Sequence, residues 1–487
     1  MSVIEQLIST FSSDPTTVCI FVAVFIVVLL WRRRSSGGRL PPGPPSYPIV
    51  GSYLSLRGTA NPFEGFEPLA EKYGDVMFLK FFRAPMLVLS GYETVHEALV
   101  KNADMFSDRP DFTATVKLFK DYGDGIVWNN GASWRELRKF ALQGMREIGV
   151  GRQGVEEKIQ EEVTLFVASL AKEEGQPIEF KRRAMKATNN VISSVVFGRR
   201  FEYDDPKMSE LLKFLDDLFK PQPALANLAN LFPWLAVLPP VKKVQNEGLE
   251  RIVPVLDFIR DRISERQETF DKDIIRDFVD LYHAKRRDNA DESVFRGAET
   301  TATSLTWHVL YMLHYPDVQK KCQLEIDREV GRGRPVTLAD KASLPYTEAT
   351  VMEVLRMSNT GVLALPHALN QGGEFRGYTL PPATMVMVNL RSVHMQPDKW
   401  DKPEVFNPQR FIGPDGHVTR PPAFMPFGLG PRSCTGEMLA KQELFLFFAN
   451  LLQRFHLKPA TPELTSLKGV MGLVNSPQPF EVKFVAR

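Results

Sequence analysis

FGLGPRSCTGE, residues 427–437, sets one of the chain's three cysteines in a turn crowded with three glycines, a proline and an arginine. A thiol in such company can be half of a disulfide, an inert buried sulfur or a metal ligand. Cys19, Cys322 and Cys434 are odd in number and widely spaced. That is no disulfide framework, and it suits a reducing compartment. Gly428 and Gly430 permit tight turns and let a flat ligand approach the backbone. Pro431 removes one amide and stiffens the loop. Cys434 stands just ahead of a helix, where free amides favour thiolate over thiol. Gly436 leaves room at the first helical turn, and Arg432 is placed to meet an anionic group.

A lone thiolate with no histidine or second cysteine nearby does not build a tetrahedral zinc site. It can serve as the single axial ligand of a haem iron. The pattern resembles the haem-binding loop of cytochrome P450, where Phe, two Gly, Arg, Cys and a following Gly recur at this spacing. Here those residues are Phe427, Gly428, Gly430, Arg432, Cys434 and Gly436. The resemblance implies haem b with Cys434 on the iron, and Phe427, Arg432 and Gly436 about the cofactor.

Further segments carry the same resemblance over nearly the whole chain. Glu353 and Arg356 stand at i, i+3 in EVLR and share a helix face. PEVFNPQRF, residues 403–411, resembles the family's arginine-bearing segment. Glu353, Arg356 and Arg410 would form a buried charged triad behind the haem, structural rather than catalytic. Trp134 and Arg138 in WRELR resemble the helix that binds a haem propionate, and His367 in LPHAL occupies a matching propionate position. The closing NSPQPFEV resembles a terminal hairpin that reaches into the substrate pocket. GYTLPPATMVMVNL, LPYTEATVMEVLR and the N-terminal features below resemble the animal microsomal, family-2-like branch.

The chain of 487 residues is 44% hydrophobic and 24% charged, ordinary globular composition, and its net charge of +2 gives no sign of a nucleic-acid binder. PTTVCIFVAVFIVVLLW, residues 15–31, carries no charge and is followed at once by Arg32, Arg33 and Arg34. Its length is at the lower limit for spanning a bilayer. The basic cluster follows the apolar run, opposite to a cleaved signal peptide. It predicts an uncleaved anchor with a lumenal N-terminus and a cytosolic body. SSGGRLPPGPPSYPIVG then reads as a flexible hinge and a stiff spacer. The expected division is 1–34 lumenal N-terminus and transmembrane anchor, 35–48 linker, and 49–487 catalytic domain.

In the body, VMFLKFF (76–82) and MLVLS (86–90) read as strands joined near Arg83–Pro85. From about Tyr92 to Tyr346 the pattern is mostly helical, as in GVEEKIQEEVTLFVASLAKEEG and SELLKFLDDLFK. LFPWLAVLPPV, residues 231–241, reads either as core or as a second patch dipping into lipid. A last helix is expected from about Gly436 to Phe455. The fold class is therefore mainly α with a minor β-sheet region, the cytochrome P450-like fold, preceded by one N-terminal transmembrane helix.

Two departures from the family stand out. Its oxygen-activating helix carries a small residue, Gly, any residue, an acid and Thr; here the run is Arg296, Gly297, Ala298, Glu299, Thr300 and Thr301. Glu299 and Thr300 match and would deliver protons to iron-bound oxygen. The Thr300 hydroxyl can bond the carbonyl four residues back and loosen the helix. Arg296 stands where the backbone should press on the haem. Upstream, AKRRDNADES (284–293) is almost wholly polar and cannot cross a buried core. The helix should start near Asp291 or Ser293. Either the transcript is shortened or the gene model incomplete, or else the pocket is unusually open or the fold weakened.

The resemblance implies a membrane-anchored haem-thiolate monooxygenase that inserts one oxygen atom from dioxygen into a lipophilic substrate. Its electrons would come from an NADPH-dependent cytochrome P450 reductase, with cytochrome b5 as a second donor, at the endoplasmic reticulum membrane. No dinucleotide-binding glycine-rich turn is evident in the chain. Arg135, Lys139 and Lys441 are candidates for the docking surface. Pocket candidates are Phe112–Phe119, Phe214–Phe219, Ala298, Thr301, Val362–Leu365 and Leu473–Val474. Arg296 and the missing turns motivate an alternative, a haem-binding protein without monooxygenase activity. A haem-thiolate isomerase of peroxides is a third reading, against which Glu299 and Thr300 argue.

Overall fold

The computed structural model describes residues 38–47, 51–56, 65–81, 84–110, 125–151, 153–206, 238–271, 273–284, 297–472 and 474–487, with isolated positions 23, 208, 209, 212 and 213. The apolar run 15–31 apart from Ala23, Arg296, and segments 112–119 and 214–219 lie outside these. So do 285–293 and Leu473. Among the described residues no helix is long and apolar enough to cross a membrane.

The predicted pair of strands forms β1 (Val76–Phe81) and β2 (Ala84–Leu89), antiparallel from Val76↔Leu89 to Phe81↔Ala84. Their apolar residues bury both faces, as β-branched and aromatic side chains favour. The Pro-rich stretch lies against this sheet: the Phe78 amide donates to the Pro42 carbonyl at 2.9 Å. A Cβ on Gly43 would sit 1.6 Å from the Phe78 carbonyl oxygen, so only glycine allows that approach.

The longer helices used below are α1 (Gly131–Glu147), α2 (Gln153–Ala171), α3 (Phe180–Val196), α4 (Pro239–Glu268), α5 (Phe278–Ala284), α6 (Gly297–His314), α7 (Pro316–Glu329), α8 (Pro345–Ser358) and α9 (Glu437–Arg454), with shorter helical turns between them. Strands β3 (Pro177–Glu179), β4 (His367–Leu369), β5 (Thr384–Val388), β6 (Phe455–Pro459), β7 (Val470–Met471), β8 (Asn475–Ser476) and β9 (Glu481–Ala486) complete the frame used below. One sheet runs β1-β2-β5-β4, with β2 and β5 parallel; a second runs β3-β9-β6.

The described part of the oxygen-groove helix, α6, begins at Gly297. It is apolar around its circumference: Ala302, Leu305, Trp307, Val309, Leu310 and Met312 are all buried. A helix hydrophobic on every side belongs inside. It packs on α3, α8 and α9 and so forms the central beam of the body. Helix α9 supplies Leu444, Phe445, Leu446, Phe447 and Phe448 to the same core. The architecture is a mostly helical body with minor sheets, as the sequence suggested. The amphipathic run 209–220 is described only at Ser209, Leu212 and Lys213, and 231–241 only from Leu238 onward.

Candidate haem-thiolate site

The 427–437 loop folds as a clamp on its own cysteine. Gly428 and Gly430 both have φ of 75°, a conformation that strains any residue with a Cβ. The Gly428 amide donates to the Met425 carbonyl at 3.0 Å, and the Cys434 amide to the Phe427 carbonyl at 2.9 Å. Gly430 and Arg432 lie in a single 3-10 turn, and Gly436 precedes α9. A Cβ on Gly430 would come within 2.1 Å of the Leu99 carbonyl oxygen. Gly430→Ala therefore combines a left-handed strain of about 1–3 kcal/mol with a clash against main chain. The expected result is a lower apparent Tm and faster haem loss, read by thermal melts and haem transfer to a scavenging protein. A variant matching wild type in both would contradict this geometry.

The Cys434 side chain is exposed by surface area, yet enough protein surrounds the sulfur for burial to raise the thiol's pKa. Both hold for an atom at the bottom of a recess, and the recess governs its chemistry. Sequence reasoning expected helix-terminal amides to favour thiolate. The Gly436 amide and the Arg138 charge do pull the pKa down, but burial is the larger effect and Glu437 adds to it. A metal cation on sulfur reverses this balance, because a coordinating thiol is deprotonated outright.

Around the loop the fold gathers cations. From α1, Arg138 donates through Nη2 to the Ser433 carbonyl at 2.8 Å and its hydroxyl at 3.2 Å. Arg432 donates to the carbonyls of Ser107 (2.7 Å), Asn129 (2.6 Å) and Ile126 (3.3 Å) and to Asn130 Oδ1 (3.1 Å). Its guanidinium lies 3.6 Å from the centre of the Trp134 ring. Trp134 is buried, and its Nε1–H has no acceptor. His367, buried on β4, bonds the Phe106 carbonyl through Nδ1 at 2.6 Å.

Sequence reasoning missed a fourth member, Arg109. It is buried, with Nε on the Val127 carbonyl at 3.2 Å and Nη1 on those of Leu365 (2.6 Å) and Pro366 (2.9 Å). Its partners are up to 257 residues away, so no local spacing announces it; SDRP itself reads as a turn.

The electrostatics of this group are one-sided. Burial, then the charge of Arg138, pushes Arg109 down to about 9. Burial and Arg109 push Arg432 down to about 8, with Asp108 opposing. Burial, Arg109 and Arg432 hold His367 well below the usual imidazole range. Three guanidiniums crowded beyond their acidic partners, beside an orphaned buried indole N–H, form a receptor for anionic groups. The two propionates of haem b fit that demand, and Cys434 fits the iron.

Behind the loop, the carboxylate of Glu353 on α8 accepts from Arg356 Nε at 2.7 Å and Nη2 at 2.8 Å. It also accepts from Arg410 Nε at 3.0 Å and the Asn407 amide at 2.8 Å. Glu353 and Arg356 are fully buried. The i, i+3 spacing on α8 makes the two-point pair, and the 3-10 turn Pro408–Phe411 brings in Arg410.

Of the oxygen-side residues, Thr300 is half-buried in the first described turn of α6, and Thr301 is buried. Glu299 belongs to that helix, but its side chain and that of Ala298 lie outside the described residues. Residues 362–365 are half-buried before β4, and Val474 is buried between β7 and β8. Of the proposed docking cations, Arg135 pairs with Asp104 at 3.2 Å and Lys441 with Glu437 at 2.6 Å.

A family profile described as Cytochrome P450 matches residues 41–484. The chain is 35% identical to "Cytochrome P450 2H1" of Gallus gallus over 97% of its length and 99% of that protein's. It is 34% identical to "Cytochrome P450 2G1" and 35% to "Cytochrome P450 2C23", both of Rattus norvegicus, again over 97% of this chain and 98% and 99% of theirs. Such coverage does not favour the non-catalytic alternative. The chain belongs to the cytochrome P450 family, near its family-2 members, and is a haem-b-dependent, cysteine-thiolate monooxygenase.

Proposed function

We propose that Cys434 is the thiolate ligand and that the enzyme, anchored by residues 15–31 in the endoplasmic reticulum membrane, oxygenates lipophilic substrates on its cytosolic side. The observation that carries this reading is the single thiol clamped in a glycine turn beside a cluster of under-neutralised guanidiniums, Arg109 buried and Arg138 and Arg432 half-buried. Bound haem b supplies the centre at which dioxygen is activated and one oxygen atom is transferred. Arg109, Arg138, Arg432 and Trp134 would hold the propionates, and His367, whose Nδ1–H serves the Phe106 carbonyl, would join them on taking up a proton at Nε2. The Cys434 sulfur donates electron density, tempered by the Gly436 amide and Arg138. Glu353, Arg356 and Arg410 brace the loop from behind.

Thr300 would hold and pass a proton at its Oγ1, and Glu299 would resupply it. Apolar side chains about 362–365 and Val474 select an apolar substrate and exclude water. The proposed domain division is 1–34 anchor, 35–48 linker and 49–487 catalytic body, with the Pro42 end of the linker held against β1. Electrons come from an NADPH-dependent reductase on the same membrane face, with cytochrome b5 as a second donor. Arg135, Lys139 and Lys441 belong to the docking face.

The test is reconstitution with that reductase in lipid vesicles, NADPH and a panel of lipophilic compounds. Wild type is expected to yield oxygenated product that requires both dioxygen and the reductase. Thr300→Ala should lower product formation by about 10²-fold or more, the usual worth of a positioned proton donor, with an unchanged ferrous–CO spectrum. Equal turnover by the variant would remove Thr300 from the proton path. Product formed without the reductase would overturn the proposal as a whole.

A further inference from the structure

One buried polar side chain near the loop is left unused by this account. His394 closes the short helix Leu390–His394 and is fully buried. It bonds at three points. Its carbonyl accepts from Arg356 Nη1 at 2.8 Å, which ties it to the charged triad. Its Nδ1 lies 2.6 Å from Asn359 Oδ1. Its Nε2 lies 3.0 Å from the amide nitrogen of Met425.

These contacts fix the ring's protonation. A backbone amide can only donate, so Nε2 accepts from Met425. The neutral ring then carries its proton on Nδ1 and donates it to Asn359 Oδ1. The orientation of the Asn359 amide is settled in turn, because its Nδ2 donates to the Arg356 carbonyl at 2.9 Å. Asn359 itself holds φ of 43° just beyond α8. Every donor in this chain meets an acceptor, and all four residues are buried. Burial and the charges of Arg356 and Arg391 push the imidazole down to about 3, consistent with a ring that stays neutral.

Met425 is where this chain enters the cysteine loop. Its carbonyl accepts from Gly428, and two residues on, the Phe427 carbonyl accepts from the Cys434 amide. The turn that carries Phe427 is thus held at one end by Cys434 and at the other by His394. We propose that His394 is a positioning residue for the thiolate: by accepting the Met425 N–H it transmits the rigidity of the Glu353–Arg356 pair to the Cys434 loop. The proposal rests on the reading of Cys434 as the iron ligand.

Two substitutions separate this role from general packing. In His394→Asn, the amide can replace Nδ1 and keep the Asn359 bond, but it is too short to reach Met425. In His394→Gln, the longer side chain can place Oε1 where Nε2 was and accept from Met425. The readout is the full-length, haem-loaded, reduced protein under carbon monoxide, followed as its thiolate-type spectrum converts to the protonated-thiol type. The expected result is conversion at least about tenfold faster in His394→Asn than in wild type, with His394→Gln close to wild type. Equal behaviour of the two variants, both sound or both impaired, would overturn the proposal.

Should His394→Asn not accumulate, hydrogen exchange on the wild-type holoenzyme decides: the Met425 amide should exchange as slowly as that of Cys434, and fast exchange sinks the idea. Cys434→Ser is the control for the underlying reading. A thiolate-type spectrum surviving in it would mean that the ligand assignment, not the His394 clamp, has failed.

Discussion

Glu353→Ala yields no folded, haem-loaded enzyme at 37 °C. The carboxylate is fully buried and accepts from Arg356 twice, from Arg410 and from the Asn407 amide. Removing it strands the Arg356 guanidinium, which is also fully buried, and frees Arg410 and the loop that carries it. Breaking one partner of such a group costs about 3–5 kcal/mol, since the remaining charge cannot be rehydrated in place. Whole domains hold only about 5–15 kcal/mol of stability, and the loss falls where α8 meets the segment that supports the cysteine loop. Glu353→Gln should be intermediate. Its Oε1 can still serve Arg410, Asn407 and one Arg356 nitrogen, while its amide N–H meets the Arg356 Nε–H donor against donor. Soluble yield and apparent Tm measure the series, expected in the order wild type, Gln, Ala. An alanine variant melting within about 2 °C of wild type would mean the triad carries little stability.

What could be seen in advance depended on sequence distance. The glycine turn is a local motif, and in the Trp134–Arg138 and Glu353–Arg356 pairs helical spacing alone places both side chains on one face. Strands β1 and β2 were legible for the same reason, being neighbours in the chain. The parallel pairing of β2 with β5, Met86↔Met385, spans almost 300 residues and left no local mark. Arg109 and His394 share that fate. One reaches the Leu365 and Pro366 carbonyls and the other the Met425 amide, and backbone partners leave no residue-type signature. The Pro-rich stretch read as a stiff spacer because prolines fix the backbone in an extended form. In the fold it contributes a carbonyl to the edge of β1, which requires no amide of its own. The balance at Cys434 was misjudged because burial depends on the whole fold, while helix-terminal amides can be counted from the sequence.

Cys434→Ser removes the thiolate and with it the reaction. Serine keeps the size and the turn, so the glycine clamp and the arginine cluster remain. What is lost is the soft, electron-rich donor that a haem centre needs for oxygen cleavage. Cys322 cannot substitute. It is fully buried, 3.3 Å from Thr350 Oγ1, with its thiol pushed up to about 12. Cys322→Ser should therefore retain both spectrum and turnover, whereas Cys434→Ser should lose the thiolate-type ferrous–CO band and fall to background product formation. X-ray absorption at the iron edge of the haem-loaded proteins asks the question of the atom itself. The expected result is one sulfur in the first coordination shell of wild type and of Cys322→Ser, and none in Cys434→Ser. Sulfur persisting on the iron of Cys434→Ser, or a shell without sulfur in wild type, would contradict the account.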